Sequence, residues 1–251
     1  MTEIRTAAAG RGIAWFSEGF TSFQNNVGAW MGTGFILLIM GLVSLSFPLL
    51  SLILQLMMPV LLGGLLLGCR EADNGGQLRL NHLFAGFSHS TGNLVLLGIL
   101  YTLASCVIMG LMFGMAALAV GGSVILSVIM EGNPVTILDN LLILLLVLLA
   151  GLLLYVPLLM AFWFGPALIV FDGHHPLSAM KYSFLGCIKN SMAFLVYGLA
   201  GMLLAIIASI PLMLGWIVLV PVTIIGFYLS YRDIFARNVI RPSIQDLSHV
   251  A

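Results

Sequence analysis

The sequence has very little charge. Only 7% of its 251 residues are Asp, Glu, Lys or Arg, whereas 61% are hydrophobic. A soluble domain carries about 25% charged residues, so the composition excludes an ordinary soluble surface and indicates an integral membrane protein. The nine basic residues balance the nine acidic ones, which leaves no electrostatic case for binding nucleic acid.

Cysteine and targeting signals are also scarce. The three cysteines, Cys69, Cys106 and Cys187, show no Cys-x-x-Cys spacing, so we predict three thiols without special chemistry rather than a disulfide framework. The first 26 residues contain no short apolar segment that ends in a small-residue cleavage site. We therefore expect no cleavable signal peptide.

The sequence contains long runs without charged residues. Residues 27–69 and 190–231 contain no Asp, Glu, Lys, Arg or His. A helix needs about 20 mainly apolar residues to cross a bilayer, so each run is long enough for two crossings. We expect the turns near Phe47-Pro48 and within residues 211–215.

The middle of the chain predicts two further crossings, at about 93–118 and 143–170, separated by a break at Glu131-Gly132-Asn133-Pro134. The second of these runs is longer than one straight crossing, and Pro157 and Pro166 indicate a kink, a tilt or entry into protein-lined space. The sequence therefore predicts an all-α protein with six transmembrane helices.

The basic residues predict the orientation. In the six-span arrangement every Lys and Arg lies on one side of the membrane, at positions 5, 11, 70, 79, 181, 189, 232, 237 and 241. The opposite side carries the acids Glu131 and Asp139. Because basic residues are enriched on the cytoplasmic side, both termini are predicted to be cytoplasmic.

Three similar stretches precede the odd-numbered spans: GFTSFQNN, GFSHSTGN and SFLGCIKN, ending at Asn26, Asn93 and Asn190. Each ends a short segment in which apolar residues recur at helical spacing: Ile13, Phe16, Phe20, Phe23 and Val27; Leu80, Leu83, Phe84 and Phe87; Leu177, Met180, Phe184 and Ile188. Such segments are typical of amphipathic helices in the membrane interface. Their basic residues Arg11, Arg79 and Lys181 could reach lipid headgroups.

Each of these segments is followed by a two-helix hairpin whose returning helix contains proline and ends near an acid. The pattern predicts one membrane domain over 1–251, built from candidate repeats at 11–73, 79–172 and 177–233, with a cytoplasmic tail at 234–251. The middle repeat carries an insertion on the outer side. Repeats with an even number of spans share one orientation, which argues against the inverted repeats of many secondary transporters.

Several motifs together resemble a known family. They are Gly28-Ala29-Trp30, Leu66-Leu67-Gly68-Cys69-Arg70-Glu71-Ala72-Asp73, Leu83-Phe84-Ala85-Gly86-Phe87 and Pro176-Leu177-Ser178-Ala179-Met180-Lys181-Tyr182-Ser183-Phe184. Over about 11–240, the chain resembles an uncharacterised family of proteobacterial six-helix inner-membrane proteins. That family is similar to the membrane domain of some glycerophosphoryl diester phosphodiesterases. The resemblance implies a bacterial inner membrane location, but it implies neither phosphodiesterase activity nor any catalytic residues.

Metal-ligating residues are few. Asp172, His174 and His175 lie in one Gly/Pro-rich segment and are weak candidates for a metal site. A polar turn between a span and an interfacial helix is the simpler interpretation, because adjacent His side chains usually point apart. We therefore predict no metal and no cofactor.

The repeated asparagines have two interpretations. Asn at a helix start caps free backbone N–H groups, and this is the simpler role for Asn26, Asn93 and Asn190. The alternative is a shared site for a lipid headgroup or a partner, with Arg79 and Lys181 contributing positive charge.

Function follows from what the spans contain. Their main polar candidates are Gln55, Asn140, Tyr155 and Thr223, and no ionisable side chain lies deep in the membrane, which disfavours ion-coupled transport. The sequence predicts a non-enzymatic scaffold, regulator or accessory subunit of an envelope complex. The alternative is binding or transport of a lipid or another amphiphile. The expected partners are the lipid bilayer and either a membrane protein or a second copy of the chain.

Overall fold

The computed structural model describes residues 3–122, 130, 138 and 140–235. All regular elements in this part of the chain are helices, which confirms the all-α prediction. They are α1 (Arg11–Gln24), α2 (Val27–Ser46), α3 (Pro48–Asp73), the 3-10 helix η1 (Leu80–Phe87), α4 (Thr91–Val120), α5 (Leu141–Trp163), α6 (Gly165–Asp172), α7 (Pro176–Lys189), α8 (Ser191–Ser209) and α9 (Trp216–Ile234).

Within the described part of the chain, six helical segments are long and apolar enough to cross a membrane, in agreement with the predicted number. They are Val27–Ser46, Pro48–Asp73, Thr91–Val120, Leu141–Asp172, Ser191–Ser209 and Trp216–Ile234. The turns also lie where expected, at Phe47 and at residues 210–215. In the second turn Leu212 and Met213 have positive φ angles of 50° and 66°, so the chain reverses without a glycine at either position.

The long fourth span is interrupted at Phe164, as its proline content predicts. Pro157 lies within α5, whereas Pro166 occupies the first turn of α6, where a missing N–H is tolerated. Ser183 of α7 lies in the gap between the two helices. Its Oγ accepts a hydrogen bond from Phe164 N (2.8 Å) and donates one to the Met160 carbonyl oxygen (2.6 Å). A side chain inserted into the helical hydrogen-bond ladder is a recognised cause of a kink.

The segment before α4 is a 3-10 helix of eight residues rather than an α-helix. Its Gly86 lies so close to the Val60 carbonyl oxygen that a Cβ atom there would collide with it. Close approach to another backbone is one of the roles for which glycine is used.

The chain forms two compact units. The first comprises Met1–Met40, Leu65–His82 and Leu185–Ala251. In it α1 packs against α8 and α9, and its fully buried side chains include Trp15, Trp30 and Ile234. The close approach of α1 requires glycine, since a Cβ at Gly12 would collide with the Ala193 carbonyl oxygen.

The second unit comprises Gly41–Gly64 and Leu83–Phe184. Its core contains Leu94, Leu97, Phe164 and Leu168, contributed by α4, α6 and the junction before α6. Gly98 of α4 lies against the Leu56 carbonyl oxygen of α3. These two helices can therefore pack closely because Gly98 has no side chain.

Some predictions concern residues outside the described part of the chain. They are the break at residues 131–134, Asp139, the insertion in the middle repeat and almost all of the tail at 234–251, with Arg237 and Arg241. The single domain and the triplication stay predictions.

Candidate functional site

A cleft of about 250 Å³ lies in the first unit, where α1 ends and α2 begins and where α3 ends beside α9. Its lining mixes polar and apolar side chains: Ser22, Asn25, Asn26, Trp30, Cys69, Ala72, Asp73, Ile225, Tyr228 and Leu229. A cleft of this size holds a small polar group rather than a drug-sized ligand, because pockets for the latter span about 300–1,000 Å³.

The local sequence explains why polar groups gather here. Asn25 and Asn26 form the turn between α1 and α2, where Asn26 N bonds to the Phe23 carbonyl oxygen at 3.1 Å. Asn is favoured in such turns and disfavoured within helices. The third helix continues to Asp73, so its last residue extends a carboxylate to the same place.

Asp73 is the charged side chain among the described residues that line the cleft. Its two carboxylate oxygens accept hydrogen bonds from Arg232 Nη1 at 2.8 and 2.9 Å, and Oδ2 accepts one from the Tyr228 hydroxyl at 3.2 Å. Arg232 itself is not part of the lining. The cleft therefore contains the carboxylate of Asp73 in its wall, while the guanidinium of Arg232 that pairs with it lies outside the wall.

A second charge cluster fastens α1 to the end of α9. Asp233 Oδ2 accepts hydrogen bonds from Arg11 Nε (2.8 Å) and Trp15 Nε1 (2.9 Å). Arg11 also pairs with Glu18. The hydrogen bond with Glu18, supported by the one with Asp233, raises the pKa of Arg11, although burial opposes this shift. Arg11 is thus paired within the protein, and the expectation that it also reaches headgroups stays a prediction.

Asn190 holds the N-terminal segment in place. It lies at the N-cap position of α8 but makes no capping hydrogen bond through its side chain. Its Oδ1 instead accepts from Ala7 N at 2.6 Å, and its Nδ2 donates to the carbonyl oxygens of Arg5 (3.0 Å) and Gly186 (2.9 Å). The predicted capping role is therefore wrong for Asn190.

The other two asparagines differ from Asn190. Asn93 is the third residue of α4, whose N-cap is Ser90, so Asn93 is not a cap either. Asn26 precedes α2 directly and lines the cleft. Of the three repeated asparagines, the structure places only Asn26 at the cleft, while Asn190 binds the N-terminal segment and Asn93 belongs to the second unit.

The predicted basic residues do not line the cleft. Arg79 is exposed just before η1, and Lys181 is exposed on α7 in the second unit. The cleft that contains Asn26 is lined by neither residue, so their role as headgroup ligands stays a prediction.

The weak metal candidates follow the end of α6. Gly173 adopts the left-handed conformation there, with φ of 68°, and the His174 ring packs on Tyr182 with 5.0 Å between ring centroids. Among the described residues, no group of three His, Cys, Asp or Glu side chains is arranged to hold a metal ion. Asp172 ends α6, and His174 and His175 follow in the turn before α7.

The polar residues predicted for the spans have different surroundings. The hydroxyls of Tyr101 and Tyr155 lie 2.5 Å apart and link α4 to α5. Thr223 Oγ1 donates to the Leu219 carbonyl oxygen of its own helix, and Gln55 is exposed. Such hydrogen bonds are a common means of joining membrane helices.

Comparison with known proteins shows that the chain is similar to a probable inner membrane protein of Burkholderia thailandensis. It is 30% identical over an alignment that covers 93% of this chain and 94% of the relative. The chain matches no protein-family profile and no solved structure.

Proposed function

This chain belongs to the family of the probable inner membrane protein of Burkholderia thailandensis, and we propose that it is a non-catalytic, multi-pass protein of the bacterial inner membrane that binds a membrane lipid. The cleft at Asp73 carries this proposal. It combines hydrogen-bonding groups with apolar walls, and it lies where two spanning helices, α3 and α9, end and a third, α2, begins. Lipid headgroups are found at this level of a membrane.

The short helices support the same placement. Large apolar side chains on them stay exposed in the folded chain: Ile13 is 60% exposed, Phe84 57% and Leu177 61%. Exposed apolar residues on short helices are expected where a helix lies in the membrane interface with its apolar face toward the acyl chains. We place these helices and the cleft on the cytoplasmic side, where basic residues concentrate.

The test is native mass spectrometry of the protein extracted from its own membrane in a mild detergent. We expect the wild-type protein to retain bound phospholipid. Ser22→Leu should reduce that retention, because the larger side chain fills the cleft while Leu remains a good helix former. Equal lipid retention by the wild-type protein and by Ser22→Leu, with both folded, would contradict the proposal.

A second candidate is an accessory subunit of an envelope complex. Some spans are little covered by the other described residues. Only 6% of an 18-residue stretch of Leu141–Asp172 is buried, and only 17% of an 18-residue stretch of Ser191–Ser209 is buried. These surfaces face either lipid or another membrane protein. Reproducible co-purification of one protein in stoichiometric amount would favour this function, and its absence at native expression would count against it.

A further inference from the structure

We propose that the cleft at Asp73 selects a ligand that carries both a primary ammonium and a phosphate, as in the headgroup of phosphatidylethanolamine. This inference rests on the lipid-binding function proposed above and specifies its ligand. The ammonium would lie at Asp73, and the phosphate would lie toward the neighbouring Arg232.

The charge distribution favours a cation inside the cleft. Among the described lining residues Asp73 is charged and the other polar groups are neutral, while its counter-ion Arg232 stands outside the lining. The pair as a whole is neutral, so a ligand with a single net charge would leave one charge unbalanced. A zwitterionic ligand matches the acid inside and the guanidinium beside it.

The neutral groups favour an ammonium that has N–H bonds. Ser22, Asn25 and Asn26 line the cleft, and their hydroxyl and amide oxygens accept hydrogen bonds. A primary ammonium offers three donors to these acceptors and to Asp73, whereas the quaternary ammonium of choline offers none.

The aromatic residues do not form an open cage for choline. Trp30 is 1% exposed and Tyr228 is 6% exposed, so their rings are covered by the protein. The Tyr228 hydroxyl is also directed to Asp73. A quaternary ammonium is usually bound over open aromatic faces, and the cleft lacks such faces among its described residues.

The experiment uses the full-length protein, delipidated in detergent and then mixed with equal amounts of phosphatidylethanolamine, phosphatidylcholine and phosphatidylglycerol with identical acyl chains. Bound lipid is read by native mass spectrometry, and thermal unfolding is measured for each sample. We expect phosphatidylethanolamine to be retained about tenfold more than either competitor, which corresponds to about 1.4 kcal/mol.

The variants separate the effect of charge on lipid binding from the effect of filling the cleft. Asp73→Asn keeps the size of the side chain but removes its charge, so we expect the preference for phosphatidylethanolamine to fall to about twofold or less. Asp172→Asn, at an exposed acid that does not line the cleft, should keep the preference. Asn25→Lys introduces a competing ammonium at an exposed position and should also abolish the preference, which keeps the proposal testable even if Asp73→Asn does not fold.

The outcomes distinguish this inference from the proposed function. If Ser22→Leu loses bound lipid but the wild-type protein shows no headgroup preference, the ammonium site is overturned and lipid binding at the cleft is not. Lipid retained equally by every variant, or none retained at all, would overturn lipid binding at the cleft. Soluble phosphoethanolamine is the remaining arm: if it alone raises the melting temperature of the wild-type protein but not that of Asn25→Lys, the ammonium site stands and its ligand is a soluble one.

Discussion

At the scale of single residues, Asn190 shows how a repeated sequence feature can have different roles. Its side chain is 3% exposed and makes three hydrogen bonds, two of them to the N-terminal segment. The spacing of the three asparagines could be read from the sequence, but their partners could not, because Arg5 and Ala7 lie more than 180 positions away. Nothing in the local pattern predicts that long-range contact.

We expect Asn190→Ala to lower the free energy of unfolding by about 1–3 kcal/mol, because buried backbone groups lose their partners. Hydrogen exchange should increase first at Ala7, whose N–H now bonds to Asn190. The matched control is Asn93→Ala, at a half-buried position in α4, which should leave exchange at Ala7 unchanged. Unaltered protection of Ala7 in Asn190→Ala would contradict the role assigned to Asn190.

At the scale of elements, the helices follow the sequence closely while their buried faces do not. The spans, their turns and the interruption near Pro166 are set by apolar run length and by proline, both of which are local properties. The face that α1 buries follows the predicted stripe only in part: Phe16 and Phe23 are buried, whereas Ile13 and Phe20 are exposed. Trp15, which lies outside the stripe, is fully buried. Gly12 and Gly19 allow α1 to approach α8 and α9 closely on that side. The buried face of α1 is therefore determined by these packing partners as well as by its hydrophobic spacing.

The cleft was missed for a related reason. Asp73 and Arg232 lie 159 positions apart, and each reads on its own as a charge at the end of an apolar run. A partial signal was present, since the second and sixth spans both end in charges of both signs: Arg70, Glu71 and Asp73 on one, Arg232 and Asp233 on the other. Only a packing arrangement that brings these two helix ends together turns that signal into a site.

The interruption of the fourth span gives a prediction about one element. Ser183→Ala removes the hydroxyl that bridges Phe164 N and the Met160 carbonyl oxygen. We expect a loss of about 1–3 kcal/mol in stability, since both backbone groups would be left without that partner in a buried setting. Thermal unfolding in detergent measures the change. Ser178→Ala, at an exposed position of the same helix, should leave the melting temperature within error, and an equal loss in both variants would refute the bridging role.

At the scale of the whole molecule, the number of spans determines whether the two termini lie on the same side of the membrane. Six crossings put both ends on one side, and all nine Lys and Arg residues then share that side. A helix count taken from apolar length is a strong inference, because backbone groups in a bilayer must be satisfied within helices. The orientation depends instead on the positive-inside bias, and it therefore needs an independent measurement.

We predict that a green fluorescent protein fused to the C-terminus is fluorescent, because the positive-inside bias predicts a cytoplasmic location for that end. Alkaline phosphatase fused after Phe47, in the turn between α2 and α3, should be active, since it would reach the periplasm after one crossing. The same enzyme fused after Asn74, beyond the end of α3, should be inactive because two crossings return the chain to the cytoplasm. The reverse pattern would invert the protein and move the cleft at Asp73 to the periplasmic face. An active phosphatase at both positions would instead mean that α3 does not cross the membrane, and the pairing of Asp73 with Arg232 at one end of the first unit would then need another explanation.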